Sequence, residues 1–178
     1  MTPTLFISYS HKDEIWKDRL LDQLAPLVGE DRLTIWTDRK IELGNEWFAE
    51  IEAAMNAASI AVCLISKNYL QSTFCTQYEV APLLARRERQ GLLLVPVLID
   101  DADWKTTHWV KPLQMHPRDG RMLEAAFASE GVDVLTRLAE YLAAVLDDPR
   151  YVPPSQPDRP ARPHRLDLTR LPYTGFDL

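Results

Sequence analysis

With 178 residues, 46% of them hydrophobic, the chain can build one ordinary domain with a sizeable core but not a second full one. Its formal net charge of −6 argues against a duplex nucleic-acid binder, which carries a basic stripe or face. No charged-then-apolar leader opens the sequence and no apolar run reaches membrane-spanning length, so neither a signal peptide nor an anchor is expected. Cys63 and Cys75 are the only cysteines, and Cys63 falls inside a strand pattern. A disulfide framework is therefore not expected, and a reducing cytoplasm is the simplest setting.

Thr4 to Tyr9 reads as a short apolar strand that breaks into the polar sequence Ser8, Tyr9, Ser10, His11, Lys12, Asp13. From Glu14 a helical period sets in, with Trp16, Leu20, Leu24 and Leu27 on one side and Lys17, Asp18, Asp22 and Gln23 on the other. Gly29 is placed to stop it as a C′ glycine. Leu33 to Trp36 forms a second strand, and a charge-dense loop through Gly44 follows. A helix with Trp47 or Phe48, Ile51, Met55 and Ala58 on one face comes next, with Asn45 as its cap.

Ser59 to Glu79 organises the rest. Ile60 to Ile65 is apolar and rich in β-branched residues, as a strand covered on both faces should be. Ser66, Lys67 and Asn68 end it, and Ser72 and Thr73 offer caps for a helix through Arg89. Cys75 and Glu79, four apart, share one face of that helix. In an open parallel sheet ligands bind beyond the carboxyl ends of strands, which is where Glu79 would lie. The competing reading is structural: Thr76 to Glu79 fits a capping box, with Glu79 reaching back to a backbone N–H. Pro82 predicts a kink beside it in either case. Arg86, Arg87 and Arg89, interrupted by Glu88, read as a solvated helix end.

After a Gln90-Gly91 turn, Leu92 to Ile99 is a fourth buried strand, in which Pro96 signals an edge or irregularity. Leu113 to Met115 suggests a very short fifth strand. Val134 or Leu135, Leu138, Leu142 and Val145 form a helical face ending before Pro149. Strands alternating with helices imply a parallel sheet with helices on both faces. From Arg150 onward, regularly spaced prolines describe an extended linker.

Several chemistries are absent from the pattern. The four histidines are scattered and the cysteines unpaired, so no metal site is expected. There is no nucleophile elbow and no P-loop. A receiver-type phosphorylation domain needs an aspartate at the end of strand three, where Ser66 and Lys67 stand. What remains is a convergence of polar groups from three strand ends: Ser8 and Tyr9, then Asp38 and Lys40, then Glu79. Such a crevice suits a nucleotide-sized ligand.

Five blocks in register, FISYSHKDE, IWTDRKIELGNEW, IEAAMNAASIAVCLISKNYLQSTFC, LLLVPVLIDDADW and LQMHPRDGR, resemble the bacterial TIR domains, relatives of the Toll/interleukin-1 receptor domain. The resemblance covers Thr4 to Leu146. It implies a flavodoxin-like α/β fold, a five-stranded parallel sheet with helices on both faces, over residues 1–148. Residues 149–178 would be a Pro-rich linker to a sensor or oligomerising domain of an immune, antiviral protein, or else a disordered tail. It also implies either cleavage of NAD+ between nicotinamide and ribose, gated by self-association with other TIR domains, or a non-catalytic scaffold. A nucleotide-binding regulator without turnover is a further alternative. On the first reading NAD+ is the substrate and no cofactor, metal, nucleic acid or membrane is involved. The family's catalytic glutamate falls on Glu79. Phe6, Ser8, Tyr9 and Ser10 would border the nucleotide, Asp38, Lys40 and Glu42 would line the mouth, and Trp47 would shape the loop. Cys75 would face the substrate where many members carry tryptophan. That difference and Pro82 are the two departures from the family pattern.

Overall fold

Residue alternation in the third strand explains the layering. Ile60, Val62 and Leu64 enter one hydrophobic cluster, whereas Ala61, Cys63 and Ile65 enter another on the opposite face of the sheet. A strand with successive side chains on opposite faces can do this only where both faces are covered, which is the condition for a parallel sheet. The computed structural model describes residues 2–37, 47–116, 122–124 and 134–154. Four strands, β1 (Thr4–Ser8), β2 (Thr34–Trp36), β3 (Ile60–Ile65) and β4 (Leu93–Leu98), run parallel in the order β2-β1-β3-β4. Helices α1 (Glu14–Gly29) and α5 (Val134–Asp147) supply the first cluster. The second is supplied by α2 (Trp47–Ala57), α3 (Lys67–Gln71) and α4 (Val80–Gln90).

The expected face of α1 is the buried one: Trp16, Leu20, Leu24 and Leu27 are all inside. Lys17, expected on the polar side, is fully buried as well. Its stem lies along the core edge while its ammonium reaches Asp18 at 2.8 Å and Glu14 at 3.2 Å and sits 5.4 Å above the Tyr9 ring. A long amphipathic side chain can bury its methylenes and keep its charge paired, so its place on a helical wheel does not fix its exposure. Gly29 is the last helical residue, and the left-handed turn falls instead on Asp31, at φ 55°. Aspartate tolerates that region better than most residues. Gly91, at φ 75°, closes α4 as the sequence suggested.

The expected fifth strand at Leu113–Met115 does not form: among the described residues the sheet has four strands. One parallel bridge, Val97 to His116, stands in its place, with the His116 N–H donating to the Pro96 carbonyl at 2.8 Å. Residues Asp100 to Leu113 are spent on turns closed by the Asp100 side chain and the Asp103 carbonyl, and Leu113 and Met115 pack into the core. Pro96 fits because β4 is the outer strand. Its carbonyl points away from β3, so its missing N–H does too. The first linker residues also fold back: Tyr151 packs against the α1/α5 cluster and Pro154 is buried. The expected cap Asn45, Gly44 and the sequence from 155 onward lie outside the described residues.

Arg86 corrects the reading of a solvated cluster, because it is 7% exposed. Its Nη1 donates to the carbonyls of Ala58, at 2.7 Å, and Met55, and its Nε donates to Gln90 at 2.7 Å. These carbonyls end α2, where helix geometry leaves acceptors unpaired and a cation is favoured. Arg86→Ala should therefore lower unfolding free energy by about 2–3 kcal/mol, the scale of losing charge-assisted hydrogen bonds to buried acceptors. Arg87→Ala, at an exposed neighbour, should change it by less than about 0.5 kcal/mol. Urea unfolding of both variants checks this, and equal midpoints would contradict the assigned role.

Candidate functional site

The strand order reverses between β1 and β3, since the chain moves outward from β1 to β2 and then returns across β1 to β3. Such a switch point leaves a crevice beyond the carboxyl ends of the two strands. Ser8, the last residue of β1, is in register with Cys63 and points to the α2/α4 side together with Phe6. It is fully buried.

Beyond β3, Ser66 caps α3, its hydroxyl accepting the Tyr69 N–H at 2.9 Å. The same hydroxyl donates to Asp13 at 2.5 Å, and the Asn68 amide donates to the other Asp13 oxygen at 2.9 Å. Asp13, in a 3-10 turn after β1, is 6% exposed. Asp100, just past β4, accepts the Lys67 N–H at 3.1 Å. Three strand ends are thus tied to one short helix. That helix sends Tyr69 inward, fully buried, with its hydroxyl 2.7 Å from Ser8 Oγ.

The segment before α4 is a π-helical turn, Phe74–Glu79, in which the Val80 N–H donates to the Cys75 carbonyl five residues back. Pro82, in the first turn of α4, favours it. An α-helical turn would require an N–H at position 82 and would press the ring against the Tyr78 carbonyl; widening the helix relieves both. The capping-box alternative does not hold. The Thr76 N–H is given to the Ser72 carbonyl at 3.0 Å, and Glu79 makes no side-chain cap. Glu79 instead turns inward, 7% exposed, and its Oε2 accepts a hydrogen bond from Ser8 Oγ. Ser8 has a single proton, so with it directed at Glu79 the Tyr69 hydroxyl is the donor to Ser8.

Cys75 lies beside this pair, its thiol donating to the Tyr9 carbonyl at 3.5 Å. Burial, reinforced by the Glu79 charge, pushes the Cys75 thiol up to about 12, and burial pushes Cys63 up to about 12 as well. Burial likewise holds the Tyr69 phenol well above its ordinary value. All three are neutral at physiological pH.

Of the residues expected at the site, Ser8, Cys75 and Glu79 come together. Phe6 lies on the same face but is 1% exposed and stacked on Trp36 at 5.3 Å. Tyr9 contributes its carbonyl, while its ring belongs to the opposite core. The Ser10 carbonyl accepts the Asp13 N–H at 2.8 Å. Asp38, Lys40 and Glu42 lie outside the described residues, as does the side chain of Trp47. Sequence reasoning missed Tyr69 and Asp13. The available signal was Ser66 as an N-cap, since a helix starting there would aim the residue three later at the sheet. A cleft of about 700 Å³ beside the end of β4, lined by Leu98, Trp104, Leu113 and Met115, contains neither Ser8 nor Glu79. Among the described residues no helix is long and apolar enough to cross a membrane, and no group of three His, Cys, Asp or Glu residues could hold a metal ion.

Comparison with known proteins agrees with this architecture. The chain is 30% identical over 119 residues to the Sinorhizobium fredii protein y4lF, covering 67% of this chain and 36% of that relative. Two solved structures share the fold. One is the TIR domains of the activated Roq1 resistosome that directly recognises the pathogen effector XopQ. It has a TM-score of 0.56 and 18% identity, covering 79% of this chain and 99% of that one. The other is a prokaryotic SEFIR domain, with a TM-score of 0.51 and 17% identity, covering 88% of this chain and all of that one. The family model described as TIR domain matches residues 5–124, and with that span covering the strands, α3, the π turn and α4, the chain belongs to the TIR domain family.

Proposed function

We propose that this domain is an NAD+ glycohydrolase that uses Glu79 against the nicotinamide ribose. The carrying observation is the orientation of that carboxylate: it is drawn inward by a side-chain hydroxyl at the switch point, not spent on a helix end. The family includes NAD-cleaving enzymes. The C1′–N bond breaks heterolytically, its electron pair neutralising the nicotinamide ring as it leaves. Positive charge then develops on the ribose, where a carboxylate stabilises it. Water adds to C1′ and loses a proton, giving ADP-ribose, nicotinamide and H+. Because nicotinamide leaves as a neutral molecule, the step needs no separate general acid.

A single chain covers the carboxylate, Ser8 being fully buried and Glu79 nearly so. We therefore assign activation to self-association, with a second copy displacing the cover. Similarity to TIR domains within an activated resistosome supports assembly as the working state. A role in bacterial antiphage signalling belongs to the same proposal. The rival reading, a non-catalytic TIR scaffold, draws on the same burial, since a carboxylate shielded in this way could serve packing alone. A regulator that binds the nucleotide without turnover is the third reading.

Burial argues against Cys75 as a nucleophile. A thiol titrating at about 12 is about one part in ten thousand thiolate at pH 8. Labelling of native protein at pH 8 with a thiol-specific disulfide reagent should accordingly run about three orders of magnitude below that of a free cysteine, at both Cys63 and Cys75. Rapid uptake of one equivalent would return Cys75 to consideration.

Concentrated protein incubated with NAD+ under crowding should release nicotinamide. Glu79→Gln should lower that release by about 10²- to 10³-fold with the fold intact by circular dichroism. No release at any concentration would favour the scaffold. Tight NAD+ binding without release would favour the regulator.

A further inference from the structure

Tyr69 carries a buried hydroxyl that the proposed chemistry does not use. Tyr69 is fully enclosed, and its Oη is 2.7 Å from Ser8 Oγ, which in turn donates to Glu79 Oε2. Three groups from three separate elements, α3, β1 and the π turn, are thereby joined in one chain of hydrogen bonds. Because the first is a donor to the second and the second a donor to the third, the polarity of the chain is fixed.

We propose that Tyr69 is a positioning residue for Glu79, acting through Ser8: by occupying one of the two Ser8 lone pairs, it biases the serine proton toward the carboxylate. The proposal rests on the reading of Glu79 as the group that meets the ribose. A serine hydroxyl can rotate among three staggered directions, and only one of them faces Glu79. The phenol closes one of the other two to the proton. It also strengthens the second bond, since a hydroxyl that accepts a hydrogen bond becomes a better donor. The phenol keeps its proton across the physiological range because burial disfavours the phenolate. Tyr69 is itself held from both sides, by the Ser66 cap on its N–H and by Trp109 with ring centroids 6.4 Å apart. Among the described residues, the titratable groups that feel the Glu79 charge include Cys63 from β3, Tyr69 from α3 and Cys75 from its own turn.

The test is a double-mutant cycle of Tyr69→Phe and Ser8→Ala, read in two ways. The first reading is nicotinamide release by associated protein. Tyr69→Phe keeps the ring and removes the donor, so it should lower kcat roughly three- to ten-fold, the scale of one hydrogen bond, with KM unchanged. Ser8→Ala should cost more, and the double variant should equal Ser8→Ala alone. Independent, multiplying losses would overturn the proposal. The second reading is the titration of the Glu79 carboxyl by carbon-13 NMR in unassembled protein, which needs no turnover. Removing the phenol weakens a bond to the charged form, so the midpoint should rise in Tyr69→Phe and not rise further when that change is added to Ser8→Ala. A midpoint unmoved by Tyr69→Phe overturns the relay whether or not the protein cleaves NAD+. A midpoint that moves in protein that releases no nicotinamide keeps the relay and rejects the enzyme reading. Should Ser8→Ala fail to fold, the Tyr69→Phe titration decides alone.

Discussion

A carboxylate kept out of water at the junction of β1 and β3 sets the terms for everything around it. An isolated buried charge costs several kcal/mol after relaxation, so its neighbours must either hydrogen-bond it or drive it to the surface. Here one hydrogen bond comes from Ser8, and it constrains three elements together. β1 must end with a small hydroxyl on the α2/α4 face. β3 must lie beside it in the register that pairs Ser8 with Cys63. The turn before α4 must aim Glu79 at both. The π-helical geometry from Phe74 to Glu79 supplies that aim, and Pro82, which has no N–H to offer the Tyr78 carbonyl, favours it over a regular α-helical turn. The residue that looked like a defect in the helix is therefore part of what orients the carboxylate.

Support for this arrangement comes from below α3. Asp13 accepts from Ser66 and Asn68, Asp100 accepts from the Lys67 N–H, and Ser66 accepts from the Tyr69 N–H. A helix of five residues has too few internal hydrogen bonds to hold itself in place, and these side chains take the place of the missing ones. The polar residues at the strand ends thus divide by task. Asp13, Ser66, Asn68 and Asp100 satisfy backbone and one another, which leaves Ser8 and Glu79 as the pair directed into the crevice. A sequence that shows six polar residues at strand ends does not show this division, because it follows from which side of each turn the side chain leaves.

What could be read in the sequence was whatever depends on one element at a time. The apolar run from Ile60 to Ile65 and the Trp16-Leu20-Leu24-Leu27 face are periodic signals, and each element formed where its period lay. Gly91 was legible because only a residue tolerant of positive φ fits there. What failed depended on two elements meeting. Arg86 looked like surface charge because its acceptors lie in α2, about thirty residues away in the chain. Lys17 looked exposed because its burial depends on Tyr9 and two acidic neighbours. Leu113 to Met115 has strand composition, but turns closed around Asp100 and Asp103 deliver it to the core with room for one bridge. Glu79 itself was ambiguous between a cap and an inward group. The deciding fact, that Ser72 already takes the Thr76 N–H, is a matter of backbone geometry that residue spacing does not contain.

A closed crevice and a catalytic carboxylate are compatible only if opening is cheap at the carboxylate. Ribose presents hydroxyl donors, so a sugar entering the crevice would exchange the Ser8 hydrogen bond for one of the same kind, and the net change at Glu79 would be small. The cost of opening then lies in the surrounding apolar contacts, where Cys75, Tyr69 and Phe6 are each at most 3% exposed. A ligand can shift such an equilibrium only by its difference in affinity for the two states. On the proposed reading, then, NAD+ alone competes against a packed cover. A second copy of the domain that buries its own surface only when the cover is displaced would add to that difference. On that reading, gating by assembly would follow from the same enclosure that keeps the carboxylate dry.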